Sequence, residues 1–86
     1  MQIDLATLKN RILEATKRFA IATEVEDVVL EPDRDDEGTD FLRVVVQLKS
    51  TNKAGDTDFE ALLEAIEGAV SAVDERYASV RFADAA

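Results

Sequence analysis

An acid-rich stretch, 31-EPDRDDEGTDF-41, holds the residues whose types and spacing come closest to a chemical site in this sequence. Asp33, Asp35 and Glu37, with the glycine that follows, match the first half of a calcium-binding loop, in which carboxylates ligate the ion. The loop also needs a bidentate glutamate at its twelfth position, where this chain has a valine. We therefore predict a solvated hairpin turn with unpaired carboxylates, and keep Asp33, Asp35 and Glu37 as an incomplete metal-site candidate.

Two residue types on which many enzymes depend are missing. The sequence contains no histidine and no cysteine, which excludes the usual zinc sites, thiol nucleophiles and serine–histidine pairs. Its three glycines form no phosphate-binding motif. We therefore predict that the chain is not an enzyme, with no catalytic residues and no cofactor.

Length, composition and charge limit which kinds of protein, partner and cellular location are compatible with the sequence. The 86 residues are 47% hydrophobic and 34% charged, which is typical of one small globular domain. The net charge is −9, and residues 23–41 carry nine acidic side chains against one basic. Such a surface repels phosphates and anionic lipids, so neither nucleic acid nor membrane is an expected partner. The lack of cysteine and of a long apolar run favours the cytoplasm.

Two segments have apolar residues at helical spacing, which predicts two amphipathic helices. The first spans about residues 4–22, with Asp4 as its N-cap. The second spans about residues 57–75, and Thr57 with Glu60 would form a capping box at its start. The two apolar stripes consist of Leu5, Leu8, Ile12, Ala15 and Phe19, and of Phe59, Leu62, Leu63, Ile66, Ala69, Val70 and Val73.

Three further segments favour strands. Residues 24–31 are rich in β-branched side chains and end before a proline, whereas residues 41–49 and 77–83 alternate in a period of two. The first two strands would form an antiparallel hairpin around an acidic loop at 32–40. A linker at 50–56 would connect the second strand to the second helix.

The α-β-β-α-β order predicts an α+β domain: a three-stranded mixed sheet with both helices packed on one face. The sheet would combine the hairpin with a right-handed crossover, which makes the third strand parallel to the second. In the hairpin we expect Leu30 opposite Leu42 and Val28 opposite Val44, which gives one continuous apolar face. The pattern fits a third strand beside either the first or the second.

This order of elements resembles part of the KH-type RNA-binding fold, among several small α+β modules. The KH signature is a GxxG loop between two helices on a basic surface. The nearest segment here, 52-NKAGD-56, has one glycine, and the whole domain is acidic. The resemblance concerns topology alone, so it does not predict RNA binding.

A sheet with helices on one side leaves its second face exposed, and such a face, or a sheet edge, can meet another protein. The residues predicted to lie on this second face are Val25, Val29, Phe41, Arg43, Val45 and Tyr77. We therefore expect a small acidic protein-interaction module, acting as a homodimeric adaptor, a chaperone-like subunit or an inhibitor of a basic partner. The alternative is a sensor that binds a small molecule or an ion at the end of the sheet.

Overall fold

The computed structural model describes residues 4–49 and 55–84, which contain three strands, two α-helices and one 3-10 helix. The elements are α1 (Leu5–Thr16), a 3-10 helix (Ala20–Glu24), β1 (Val25–Arg34), β2 (Asp40–Leu48), α2 (Asp56–Ser71) and β3 (Tyr77–Asp84). The strand order is β1-β2-β3, antiparallel between β1 and β2 and parallel between β2 and β3. The predicted mixed sheet is confirmed, and β3 lies beside the central strand β2.

Both helices cover the same face of the sheet, as predicted. Alternate side chains along β2 meet the apolar stripes of α1 and α2 because successive residues of a strand point to opposite faces. The fully buried members of this core are Leu8, Ile12, Val28, Leu42, Val44, Val46, Leu48, Ile66 and Val70. Each such side chain contributes about 1.5–3 kcal/mol when it leaves water, so this covered face is the main source of stability.

The first helix is shorter than the sequence pattern predicts. It begins after Asp4, whose carboxylate accepts a hydrogen bond from the backbone N–H of Thr7 at 3.2 Å. It ends at Thr16 rather than near residue 22, and the Thr16 hydroxyl donates to the carbonyl oxygen of Leu13 at 2.8 Å. A threonine hydroxyl in this position satisfies a carbonyl that would otherwise continue the helix ladder, which favours termination here.

The second helix begins earlier and is capped differently from the prediction. Its N-cap is Gly55, and the Asp58 carboxylate accepts a hydrogen bond from the Gly55 backbone N–H at 3.0 Å. The predicted capping box of Thr57 and Glu60 is therefore wrong, because Thr57 is already inside the helix. The helix ends at Ser71 rather than near residue 75. Most of the predicted linker at 50–56 lies outside the described residues.

Strand β1 is longer than predicted, and the hairpin loop is shorter than the loop predicted at 32–40. Strand β1 continues through Pro32 to Arg34, and only residues 35–39 connect it to β2. Proline is tolerated because β1 lies at an edge of the sheet, where one side of the strand needs no hydrogen-bond donors. Leu30 lies opposite Val44 rather than Leu42. This shift of two residues keeps the side chains of β1 from Asp27 onwards on their predicted faces.

Neither helix of the described residues combines the length and the apolar character that crossing a membrane would require.

Candidate protein interaction surface

The face of the sheet that points away from the helices is called the open face here, since no described helix packs on it. Strand pairing brings its side chains into rows across the sheet. From one end to the other, these rows are Asp33–Phe41–Tyr77, Glu31–Arg43–Ser79, Val29–Val45–Arg81 and Asp27–Gln47–Ala83. Apolar, aromatic and charged groups therefore alternate over a surface three strands wide.

Five of the six predicted interaction residues come together on the open face, and Val25 does not. A bulge between Val25 and Asp27 interrupts the pairing of β1 with β2, so that Val25 lies opposite Leu48. Leu48 belongs to the buried core, and Val25 packs against that core. Because a one-residue bulge reverses the face of the side chains before it relative to those after it, the predicted position of Val25 is wrong.

Tyr77 is the most exposed large hydrophobic side chain among the described residues, at 47%. Its ring stacks on Phe41 with 5.2 Å between ring centroids and an interplanar angle of 15°. Its hydroxyl donates a hydrogen bond to the Asp35 carboxylate at 2.9 Å. This hydrogen bond is the main cause that raises the pKa of Tyr77, and the charges of Asp35 and Glu37 act in the same direction. Tyr77 is therefore held at its face and at its tip, in negative surroundings.

Phe41 is only 8% exposed although it lies on the open face. The Tyr77 ring covers one part of it, and the guanidinium of Arg43 lies 5.5 Å from its ring centroid. Arg43 in turn forms an ion pair with Asp33 at 2.7 Å. The pKa of Asp33 is lowered mainly by the hydrogen bond from the Arg34 backbone N–H, and next by the hydrogen bond from the Arg43 side chain. These contacts fix the aromatic pair in place.

Asp35 organises the turn at the tip of the hairpin. Its Oδ1 atom accepts hydrogen bonds from the backbone N–H groups of Thr39 at 2.9 Å and Glu37 at 3.0 Å. The pKa of Asp35 is lowered mainly by the hydrogen bond from the Thr39 backbone N–H, and next by the hydrogen bond from the Tyr77 hydroxyl. Gly38 has a φ of 81°, a left-handed conformation that glycine adopts without strain. The expectation of unpaired carboxylates is therefore wrong for Asp35, as it is for Asp33.

The three candidate metal ligands do not converge on one point. Asp33 pairs with Arg43, while Asp35 is bonded to backbone and hydroxyl donors. Glu37 is exposed on the turn. Within residues 4–49 and 55–84, no group of three or more acidic side chains is placed to hold a metal ion. Protein donors thus already bond two of the three carboxylates that the calcium-loop pattern selected, those of Asp33 and Asp35.

A buried ion pair in the loop between α2 and β3 was missed by the sequence analysis. Arg76 donates to both carboxylate oxygens of Asp74, at 3.0 and 2.8 Å, and the two side chains are 9% and 0% exposed. The hydrogen bonds to Asp74 are the main cause that raises the pKa of Arg76. The pair immediately precedes Tyr77, so it sets where β3 enters the sheet. No periodic pattern marks two charged residues in a loop.

The exposed side of α2 adds a second acidic surface. The helix carries no lysine or arginine, and its acidic residues are Asp56, Asp58, Glu60, Glu64 and Glu67. Like charges three or four residues apart on a helix repel each other by a few tenths of a kcal/mol, about 0.2–0.5 per pair. Asp56 and Asp58 lie in the first turn, where the helix dipole favours negative charge, so the repulsion concerns mainly Glu60, Glu64 and Glu67, and the surface of α2 is negative.

No protein-family model matches the chain, and no curated protein matches it. Solved structures with a similar arrangement include "MamM-CTD 215-293", at a TM-score of 0.47 and 18% identity over 92% of this chain and 99% of that one. Another is "MamM CTD - Copper form", at a TM-score of 0.47 and 18% identity over 91% of this chain and 85% of that one. Similarity at this level concerns the arrangement of the elements, so no property of those proteins is transferred to this chain.

Proposed function

We propose that this chain is a small acidic protein-interaction module, homodimeric, that binds a basic partner protein on its open face. The observation that carries the proposal is that Tyr77 is exposed and yet fixed in position by its neighbours. The residue is 47% exposed, yet its ring stacks on Phe41 and its hydroxyl donates a hydrogen bond to Asp35. An exposed aromatic ring that is already immobile loses little conformational entropy when a partner covers it.

The chemistry around Tyr77 favours a cationic group in the partner. Aromatic residues are common energetic centres of protein interfaces, and the face of a tyrosine ring attracts arginine and lysine. The hydrogen bond to Asp35 is the main cause that raises the pKa of Tyr77, and the charges of Asp35 and Glu37 add to it. The same charges would attract a cation to the ring. Val29 and Val45 supply apolar area on the same face, two rows further along the strands, beyond the row of Glu31, Arg43 and Ser79. Apolar and charged groups thus both contribute to this surface, as in many protein interfaces.

The proposal assigns no catalytic role to the carboxylates of the open face. Asp33 and Asp35 have lowered pKa values and therefore stay ionised near neutral pH. A general acid or base works best when its pKa lies near the working pH, which these two groups do not approach. Their hydrogen bonds serve to position Arg43 and Tyr77. This favours binding over both catalysis and the alternative of an ion sensor.

Affinity capture from cell lysate tests the proposal. The domain, immobilised through its C-terminus, is compared with a Tyr77→Ser variant at about 0.1 M and about 1 M salt, between which the Debye length falls from about 10 Å to about 3 Å. We expect the wild type to retain one or a few basic proteins at low salt and to release them at high salt. The Tyr77→Ser variant should lose them.

A matched control separates the open face from general charge effects. Asn10→Ser changes an exposed polar residue on α1, which covers the opposite face of the sheet. This variant should retain the same proteins as the wild type. Equal capture by all three proteins would contradict the proposed role of Tyr77, and capture that survives high salt unchanged would contradict a basic partner. Circular dichroism spectra of each variant establish that the fold is intact.

A further inference from the structure

The two edges of the sheet differ in how well they resist pairing with another strand. The β1 edge has a bulge between Val25 and Asp27, a proline at position 32 and five charged residues in its ten positions. Prolines, bulges and charges of this kind are the usual protection of sheet edges. The β1 edge is therefore blocked.

The β3 edge is less protected, with no bulge, no proline and only two charged residues. Tyr77–Asp84 pairs with β2 in an unbroken register of eight residues and contains neither proline nor glycine. Its formal charges are those of Arg81 and Asp84, which cancel. No strand of the described residues pairs with its other side. A long, regular, neutral edge of this type is a template for strand addition.

We propose that β3 pairs antiparallel with β3 of a second copy, so that a six-stranded sheet forms with Val80 on the two-fold axis. This inference rests on the homodimer of the proposed function and names its interface. A second copy fits because β3 is neutral and, when paired about Val80, sets no like charges opposite each other, although the net charge of −9 makes two copies repel each other overall. The β1 edge, with four acidic residues, would add to that repulsion.

The side chains of β3 select the register. Residues directly opposite each other in an antiparallel pair point to the same face of the sheet. With Val80 opposite its own copy, Ala78 lies opposite Phe82 on the covered face, where both pack against the core in each protomer. On the open face, Ser79 lies opposite Arg81 of the second copy. If the axis passed through Arg81 instead, two arginines would face each other, which is unfavourable.

The test combines mass measurement with a charge exchange at positions 79 and 81. Light scattering after size exclusion should give about twice 9.5 kDa for the wild type. Ser79→Lys places a positive charge opposite Arg81 twice in the symmetric dimer, and should raise the dimer Kd by roughly fivefold. Adding Arg81→Glu to Ser79→Lys converts both repulsive pairs into attractive ones, and should restore the wild-type Kd.

The controls distinguish the interface from the function. Asn10→Lys adds the same charge on the exposed surface of α1 and should leave the Kd unchanged. A dimer whose Kd responds to neither Ser79→Lys nor the double variant would overturn the β3 interface but leave the homodimer standing. A mass of 9.5 kDa at every concentration tested would overturn both. Because Ser79 also neighbours Arg43 in the row across the sheet, thermal unfolding of each variant establishes that the protomer is folded.

Discussion

Val44 and Val45 are neighbours on the central strand, yet their side chains belong to environments with different physical roles. Val44 is 0% exposed and lies in an entirely apolar layer between the sheet and the helices. Val45 is half-buried on the open face, in a row between Val29 and Arg81. The covered face provides stability through burial alone. The open face holds its groups in place through pairwise contacts, which leaves it available for a partner.

The ion pairs of the molecule show the same division. Asp74 and Arg76 are buried and bidentate, whereas Asp33 and Arg43 lie on the open face with side chains 45% and 32% exposed. Exposed pairs contribute little because water and salt screen them, but removal of one partner from a buried pair strands a charge away from water. The difference teaches that similar pairs have different energetic weights here according to their burial.

The largest expected effect comes from the buried pair. Asp74→Asn keeps the shape of the side chain but leaves the guanidinium of Arg76 without its carboxylate. We expect the free energy of unfolding to fall by about 3 kcal/mol, the low end for broken buried pairs, because Arg76 retains slight exposure. Urea unfolding followed by circular dichroism measures this change.

Asp33→Asn is the matched change on the open face, and it should have a clearly smaller effect on unfolding in the same assay. Similar losses in the two variants would mean that burial does not separate the two pairs. A loss that disappears at high salt for Asp33→Asn alone would sharpen the comparison, because salt screens exposed pairs more strongly than buried ones.

The second effect concerns the two valines. Val44→Ala removes two methyl groups from a fully buried site, and the expected loss is about 2 kcal/mol, made up of lost burial and a small cavity. Val45→Ala removes the same atoms from a half-buried site and should cost less than about 1 kcal/mol. If the variants and the wild type unfold with equal dependence on denaturant concentration, the shifts of their denaturant midpoints give both losses in the free energy of unfolding. If Val45→Ala costs as much as Val44→Ala, an additional layer covers the open face.

The architecture could be predicted because it depends on periodicity. The alternation along β2 assigned Val44 to one face and Val45 to the other, and the apolar stripes of the helices required a common sheet face to cover. These patterns are local and repeat over many residues, so single exceptions do not obscure them. The neighbour of β3 needed tertiary information, because either order of strands buries the same apolar side chains.

The candidate site was predictable only in part. The strand period placed Phe41, Arg43 and Tyr77 on one face, but their stacking depends on which residues the pairing sets side by side. The bulge that turns Val25 into the core has no sequence signal of its own. The Asp74–Arg76 pair lies in a loop, where charged residues are usually exposed. Such features arise from contacts between distant segments or from one irregular residue, which a periodic analysis cannot detect.

The smallest expected effect comes from removing the hydrogen bond between the Tyr77 hydroxyl and Asp35. Tyr77→Phe keeps the ring on Phe41 and removes the donor to Asp35. The lowered pKa of Asp35 contributes stability above its unfolded value of about 3.9, and this contribution is lost as the pH falls through the folded value. The raised pKa of Tyr77 contributes below about 10 and is lost as the pH rises through its folded value. We therefore expect Tyr77→Phe to lower the free energy of unfolding slightly near neutral pH. That free energy should also depend less on pH than in the wild type, in both the acidic and the alkaline range.

The measurement is direct because Tyr77 is the one tyrosine of the sequence, which also contains no tryptophan. The near-ultraviolet absorbance of its phenolate therefore reports a single group. We expect it to titrate above pH 10.0, the ordinary value. Asp35→Asn should bring that titration back towards the ordinary value, whereas Asp36→Asn, an exposed change in the same turn, should leave it almost unaltered. A wild-type phenol that titrates at its ordinary pKa would mean that Tyr77 is not held by Asp35, and the argument for a preorganised aromatic anchor on the open face would then lose its basis.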